Sequence, residues 1–258
     1  MKKTLLFFLL FFSLNFYSQN IKVIEYSYED YNNVVCSSTL FINNKETIFR
    51  VNDERKSGID MAISNEENYI IVDNDNISTV IYSNDSLSIV RIPLYKDEII
   101  YSDSIDKINY SLTGKTKDIN GFSCQEAITK FNGRTYFIWF TPEIAVNYGP
   151  LKLNGLPGLI IEVVEVTKNI KIKFKSINEI KEIKTFEYYK KYITEKKSMN
   201  YSTYENKIID IMKTNKAKKI ATLAELNATI EFDKNHKSFT NLLIDVPKDL
   251  VSELLKIQ

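Results

Sequence analysis

Hydrophobic and polar residues alternate at every second position through the first two-thirds of the chain, which is the period of β-strands. Ile170, Ile172 and Phe174 alternate with three lysines, so one face is buried and the other is solvated, as in an antiparallel sheet with one wet face. Val34, Cys36, Leu40 and Ile42 likewise share one side of a strand. Strands are predicted over 21–28, 34–42, 45–51, 69–72, 77–82, 87–92, 108–112, 122–131, 134–140, 159–166 and 170–176.

Asparagine-rich turns separate several of these strands. Asn43-Asn44 predicts a hairpin, and Asn132-Gly133 is the strongest hairpin signal because type I′ turns need positive φ at both central positions. The segment 159–166 is so apolar that we expect it to be a central strand. Residues 51–68 are polar and charged, and predict a loop or a poorly formed helix.

The pattern changes to helical spacing over 203–226, where Ser202 and Glu205 have the spacing of a capping box. The lysines at 213–219 are expected on the solvated face of this helix. Residues 239–246 predict a return to the sheet, and 247–257 a short terminal helix. The predicted fold class is α+β, mainly antiparallel β, as a curved sheet or half-barrel with one longer helix towards the C-terminus, in a single domain over 20–258.

The first 19 residues have the order of a secretory signal. Lys2 and Lys3 precede eight consecutive Leu and Phe residues, and a more polar stretch follows. A membrane anchor needs about twenty apolar residues, and Asn15 and Ser18 end this run too early. We therefore expect 1–19 to be a cleaved signal peptide, no transmembrane segment after cleavage, and a location in the periplasm or at the cell surface.

Composition narrows the functional classes. The chain of 258 residues carries 34 basic and 33 acidic residues, and loss of Lys2 and Lys3 with the signal leaves a net charge of about −1. A nearly neutral protein has no overall electrostatic field that attracts nucleic acid, so no nucleic-acid partner is expected. Cys36 and Cys124 are the two cysteines. Export permits a disulfide between them, and the alternative is two small buried thiols.

The segment from Trp139 to Ile160 holds three of the seven glycines, three of the five prolines and the only tryptophan. Glycine allows backbone conformations closed to other residues, and proline fixes φ. The composition predicts an ordered loop with a single backbone conformation.

Residues 155–160 read Gly-Leu-Pro-Gly-Leu-Ile, and this hexapeptide resembles the motif that names the GLPGLI family, cell-envelope proteins of unknown function in Bacteroidetes. The resemblance extends to Thr-Pro-Glu-Ile at 141–144, Gly-Pro at 149–150 and Asn-Gly-Phe-Ser-Cys at 120–124. It implies a predominantly β architecture, similar to the curved half-barrels of envelope lipoprotein carriers, and a secreted or periplasmic location.

No catalytic, metal or cofactor motif is complete. His236 is the sole histidine, and it lies in a polar stretch typical of a surface turn. Catalytic zinc sites usually use two or more histidines, and a serine or cysteine triad uses a histidine as its base. Gly114-Lys115-Thr116 lacks the first glycine of a P-loop. We therefore expect no catalytic residue, no metal and no cofactor.

Two functional hypotheses remain. In the preferred one, Trp139, Phe140 and Tyr148 frame a binding groove of a non-catalytic accessory protein of the envelope. Its ligand would be a lipid, a peptide or an outer-membrane protein, and the loop could alternatively only close the sheet. The wall of the groove would comprise Gly149, Pro150, Gly155, Leu156, Pro157 and Gly158. The second hypothesis is an envelope hydrolase that uses Glu143 and Glu162, which flank the loop. A third possibility is a purely structural role in an envelope assembly.

Overall fold

The computed structural model describes residues 20–29, 35–51, 79–93, 98–105, 107–167, 170–181 and 183–225. The signal peptide predicted over 1–19, His236 and the elements predicted over 51–72 and 239–257 lie outside these residues, apart from Val51. These described residues form two α-helices and twelve strands. In chain order they are β1 (Ile21–Glu29), β2 (Val35–Asn43), β3 (Glu46–Val51), β4 (Val80–Ser83), β5 (Leu87–Pro93), β6 (Glu98–Ser104), β7 (Tyr110–Ile119), β8 (Phe122–Phe131), β9 (Arg134–Thr141), β10 (Leu159–Glu165), β11 (Lys171–Ile180), α1 (Lys184–Thr194), β12 (Met199–Asn200) and α2 (Tyr201–Glu225).

All twelve strands belong to one sheet, in the order β12-β6-β5-β4-β3-β2-β1-β11-β10-β9-β8-β7. Neighbours are antiparallel except β12 and β6, which are parallel. The sheet is open, because the order of the described strands ends at β12 on one side and at β7 on the other. The predicted α+β class with a mainly antiparallel sheet is confirmed, and β10 is an interior strand as expected.

Three of the strand connections are tight turns that asparagine and glycine make possible. Asn132 and Gly133 both have positive φ, 47° and 71°, and join β8 to β9 as the sequence predicts. Asn44 has a φ of 55° between β2 and β3. Asn120-Gly121 forms a further turn of this kind between β7 and β8, with φ of 54° and 81°.

The main hydrophobic core lies on one face of the sheet, called here the inner face. It joins residues from both ends of the strand order, such as Tyr101 on β6 and Tyr136 on β9, in one cluster. A sheet that surrounds one shared core in this way is curved. Tyr204 and Ile208 of α2 are fully buried in the same cluster.

The opposite, outer face is covered over β3 to β5 by α1. Phe186, Tyr189 and Ile193, at helical spacing, are fully buried in a second cluster with outer-face residues such as Phe41 and Ile48. Helix α1 and strand β6 are elements that the sequence pattern did not predict.

Helix α2 confirms the predicted helix near 203–226, but its start differs. Asn200 caps the helix, since its side-chain oxygen accepts a hydrogen bond of 2.8 Å from the backbone N–H of Thr203. The predicted capping box at Ser202 and Glu205 is therefore not the start of the helix. Neither helix in the described part of the chain combines the length and apolarity that crossing a bilayer requires.

Candidate functional site

The loop between β9 and β10 follows one fixed path, as its composition predicts. Its backbone is held by internal hydrogen bonds: the N–H of Gly149 donates to the carbonyl of Leu153 at 2.7 Å, and the N–H of Gly155 donates to the carbonyl of Asn147 at 2.8 Å. Tyr148 and Asn154 form an isolated antiparallel bridge. The loop is therefore a small ordered substructure.

Close backbone approaches explain two of its glycines. A Cβ atom at Gly158 would lie 2.1 Å from the carbonyl oxygen of Thr141, and one at Gly149 would lie 2.8 Å from the carbonyl oxygen of Leu153. Real Cβ atoms do not come this near to backbone oxygens. Both positions therefore require glycine to let the loop fold back on β9 and on itself.

Leu151 adopts an unusual backbone conformation at the tip of this loop. Its φ is 62°, a left-handed value that is rare for a non-glycine residue, although its side chain is buried. Strain of this kind persists only where surrounding structure imposes it, and it concentrates at functional sites. The neighbouring residue is Lys152, which reaches across to β6.

Lys152 ties the loop to the far side of the curved sheet. Its Nζ lies 3.3 Å from a carboxylate oxygen of Asp103 and 5.1 Å from the ring centroid of Tyr101. Tyr101 stacks on Tyr204 of α2 with centroids 4.1 Å apart. The loop, β6 and α2 are thus linked by consecutive contacts.

A cleft of about 160 Å³ lies between this loop and the turns of the N-terminal half. Asp85 borders it and forms an ion pair with Lys45 at 2.8 Å. Burial raises the pKa of the Tyr148 phenol, and the charge of Asp85 raises it further. Hydroxyl and amide side chains dominate the lining: Thr47, Ser83, Asn84, Asn147, Tyr148 and Asn154.

Three apolar residues also line the cleft, next to the charged residues Asp85 and Lys152. Leu151 and Leu153 are buried beside it, and Ile105 completes the apolar part. A smaller cavity of about 30 Å³ adjoins it and is bordered by Asp103, Lys152 and Asn154. The phenol of Tyr110 donates a hydrogen bond of 2.9 Å to the carbonyl of Asn154, and burial raises the pKa of that phenol. The cleft therefore combines neutral polar groups with an apolar floor.

The structure divides the residues of the predicted groove among three places. Tyr148, Gly149 and Gly155 line the cleft. Phe140 is buried in the inner core, and Trp139 is half-buried on the outer face. Trp139 and Phe140 cannot frame one groove because successive strand residues point to opposite faces.

The remaining predicted wall residues serve the loop itself. Pro150, Leu156 and Gly158 are buried, whereas Pro157 is exposed. None of these four borders the cleft. The wall of the cleft opposite the loop, which includes Thr47, was not predicted from the sequence. The polar pair Asn84-Asp85 was the only local pattern that indicated part of this wall.

The other candidate residues lie elsewhere. Cys36 on β2 and Cys124 on β8 are both buried thiols, and the possible disulfide between them is not formed. Four strands separate β2 from β8 in the sheet order.

The carboxylate of Glu143 accepts a 2.7 Å hydrogen bond from the backbone N–H of Ser123, and Glu162 pairs with Lys117 at 2.9 Å. Neither carboxylate borders the cleft. Within the described ranges, no group of three or more His, Cys, Asp or Glu side chains could hold a metal ion.

A model of the N-glycanase peptide, N-terminal domain, family matches residues 37–206. The chain belongs to this family. The match spans most of the sheet, the β9–β10 loop, α1 and the start of α2. The resemblance to the GLPGLI family is therefore wrong. The hexapeptide reflects local backbone requirements, such as the close approach of Gly158 to Thr141, and a short motif of that origin does not define a lineage.

Solved structures similar to this N-glycanase-type domain include two crystal forms of PNGF-II. The form in space group C2 aligns with 17% identity and a TM-score of 0.49, and the form in P21 with 16% identity and the same TM-score. Each alignment covers 72% of this chain and 32% of PNGF-II, so the chain spans about a third of that protein's length. An uncharacterized conserved protein from Thermus thermophilus aligns at 5% identity with a TM-score of 0.36, over 63% of this chain and 80% of the other. No functionally curated protein matches the chain.

Proposed function

We propose that this chain is a non-catalytic glycan-binding domain that holds a neutral sugar unit of a glycoprotein in the cleft beside Tyr148. The observation that carries the proposal is the cleft itself. It has a volume of about 160 Å³, and neutral hydrogen-bonding side chains from separate segments converge on it. Membership of an N-glycanase family supports a glycan as the ligand rather than a lipid, a peptide or an outer-membrane protein.

The chemistry of the lining suits a sugar. Each sugar hydroxyl both donates and accepts hydrogen bonds. The amide of Asn147 offers both functions. The Asn154 side chain offers its oxygen while its nitrogen donates to the carbonyl of Lys152, and the Asn84 oxygen already accepts from the backbone N–H groups of Ser86 and Leu87. The apolar C–H face of a sugar ring matches the floor formed by Leu151 and Ile105. Pockets that combine a few converging polar groups with an apolar wall are the usual form of small-ligand sites.

The charges at the cleft support a neutral ligand. Asp85 pairs with Lys45, and Lys152 pairs with Asp103, so the cationic and anionic groups around the cleft are matched within the chain. An acidic sugar would meet Asp85 without a surplus of positive charge to offset it. We therefore propose neutral hexoses or N-acetylhexosamines as ligands.

The positions of the two carboxylates that the sequence suggested as catalytic support an accessory role. Glycoside hydrolysis usually requires two carboxyl groups on either side of the bond that is cleaved. Glu143 and Glu162 are engaged away from the cleft, so no observation favours the hydrolase hypothesis. Because the sequence of 1–19 predicts a secretory signal, we further propose that the domain works in the periplasm or at the cell surface.

Calorimetric titration of the full chain with N,N′-diacetylchitobiose and with mannose tests this proposal. Binding of at least one of them is expected, and Tyr148→Ala should weaken it roughly tenfold, the effect of losing one or two hydrogen bonds and a ring contact. Tyr148→Phe, which removes the hydroxyl alone, should have a smaller effect.

The matched control is Tyr188→Ala, because Tyr188 is an exposed tyrosine on α1. It should bind like the unchanged chain. Equal affinity of a folded Tyr148→Ala variant and the unchanged chain would remove the cleft as the site. Release of glycan from a glycopeptide that stops in Glu143→Gln or Glu162→Gln would contradict the non-catalytic assignment.

A further inference from the structure

The outer face of β8, β9 and β10 carries large apolar side chains that are partly exposed to solvent. Ile128, Phe137 and Val164 lie side by side in register on the three strands, and Trp139 follows two residues further along β9. All four are half-buried. We call these four residues the Trp139 platform. Helix α1 packs on β3, β4 and β5, and it leaves this region uncovered within the described part of the chain. Adjacent, partly exposed apolar side chains that no described element covers form a candidate interaction site.

Two carboxylates flank the tryptophan. Glu126 on β8 and Glu162 on β10 are the direct cross-strand partners of Trp139 and share its face of the sheet. Glu126 is buried and accepts a 2.8 Å hydrogen bond from the hydroxyl of Thr113. The platform therefore has hydrogen-bond acceptors fixed on both sides of its largest ring.

Lysines balance these carboxylates. Lys115 lies 3.1 Å from Glu126, while Lys117 lies 2.9 Å and Lys173 4.0 Å from Glu162. The lysines are well exposed, so the rim offers donors as well as acceptors without a strong net charge. A rim of this composition suits a neutral ligand that has many hydroxyl groups.

Lys117 occupies the approach to the tryptophan ring. Its Nζ lies 4.2 Å from the ring centroid of Trp139, and 40% of its side chain is exposed. Exposed lysine pairs contribute little stability, so a ligand can displace this ammonium group at small cost. The ring is then available for stacking.

We propose that the Trp139 platform is a second carbohydrate subsite, where a pyranose ring stacks on Trp139 and its hydroxyls donate to Glu162 and Glu126. A pyranose presents C–H groups on its face and hydroxyls around its edge, which is the arrangement that the platform and its rim complement. The choice of a carbohydrate rests on the glycan-related function proposed above. The site is separate from the cleft, because no platform residue lines the cleft.

The single tryptophan provides a direct test. The full chain is titrated with chitotetraose and with maltotetraose while tryptophan emission and its quenching by iodide are followed. A saturable emission shift with protection from iodide is expected for at least one of them. Glu162→Gln should weaken this binding roughly tenfold, whereas Tyr148→Ala should leave the emission titration unchanged.

Calorimetry of Trp139→Ala, with Tyr188→Ala as the control, completes the experiment. Loss of one class of sites in Trp139→Ala alone supports the subsite. Calorimetric binding without any emission change, and with normal stoichiometry in Trp139→Ala, would overturn the platform and leave the cleft intact. Absence of all binding would overturn both. An emission change that depends on protein concentration without sugar, or that only a peptide produces, would show a protein interface and overturn the subsite.

Discussion

The two halves of the sheet share one inner core but differ on their outer faces. Over β3 to β5 the outer side chains, such as Ile48 and Tyr82, are buried under α1. Over β8 to β10 the corresponding positions hold the Trp139 platform, which is partly exposed. The alternating pattern of the strands is similar in both halves. Whether an outer face becomes core or surface is thus decided by an element outside the sheet.

The electrostatic contacts of the two faces differ in the same way. Around α1, Glu98 binds Lys196, Tyr192 and Arg91, and the Arg91 side chain is almost completely buried. On the platform side the lysines that pair with Glu162 are 40% and 60% exposed. Shielded pairs interact more strongly than exposed ones, so the α1 side is held by charge as well as by apolar packing.

The largest expected effect is on the covered half. Phe186→Ala removes a fully buried ring between α1 and the sheet and should lower the free energy of unfolding by about 3–5 kcal/mol. Urea denaturation measures it. Tyr188→Ala, on the exposed side of the same helix, is the control and should cost at most about 1.5 kcal/mol, because its ring contacts those of Tyr189 and Tyr192 but is 42% exposed. Similar losses in both variants would mean that α1 does not hold this face.

An intermediate effect depends on pH. Burial tends to raise the pKa of Glu98, but hydrogen bonds from Lys196, Arg91 and Tyr192 outweigh it and lower the pKa from 4.5 to about 2. Because the pKa is lower in the folded state, this carboxylate stabilises the fold above pH 4.5, and the contribution disappears as the pH falls towards 2. Denaturation of the unchanged chain and of Glu98→Gln should therefore differ most above pH 4.5 and converge towards pH 2. A constant difference over this range would contradict the assignment.

The smallest effect is expected on the open half. Lys173→Ala removes a partner that lies 4.0 Å from Glu162 and is largely exposed. Its free energy of unfolding should change by at most about 0.5 kcal/mol, as measured by urea denaturation. Lys191→Ala offers a control on a solvent-facing position of α1. A loss above about 1 kcal/mol would show that the platform rim stabilises the fold rather than serving a ligand.

The sequence predicted the parts of the fold that depend on local patterns. Ile170, Ile172 and Phe174 are buried and their lysine neighbours are not, as the alternation indicated. Helix α1 was missed because charged and aromatic residues are mixed closely in it, although Phe186, Tyr189 and Ile193 have helical spacing. Strand β6 was missed because it begins and ends with acidic and polar residues.

Only one wall of the cleft could be predicted from the sequence. The constrained loop with Tyr148 and Gly149 was identified from its glycines and prolines. The opposing wall, with Asn84 and Thr47, is contributed by turns that the sheet topology brings near, and no local pattern contains that information. The groove predicted between Trp139 and Phe140 is not formed, because adjacent strand residues face opposite sides of the sheet.

The position of β1 has a consequence for the folding order. One of its edges pairs with β2, which follows within a few residues, whereas the other pairs with β11, so that Glu25 meets Ser176 across 151 positions of sequence. The two halves of the sheet can each assemble from neighbouring hairpins, but the seam between them closes only when both exist. Such long-range pairing is slow, and until it forms β1 is an exposed, largely apolar edge able to pair with other chains. Conditions that delay the pairing of β11 should therefore favour aggregation through β1.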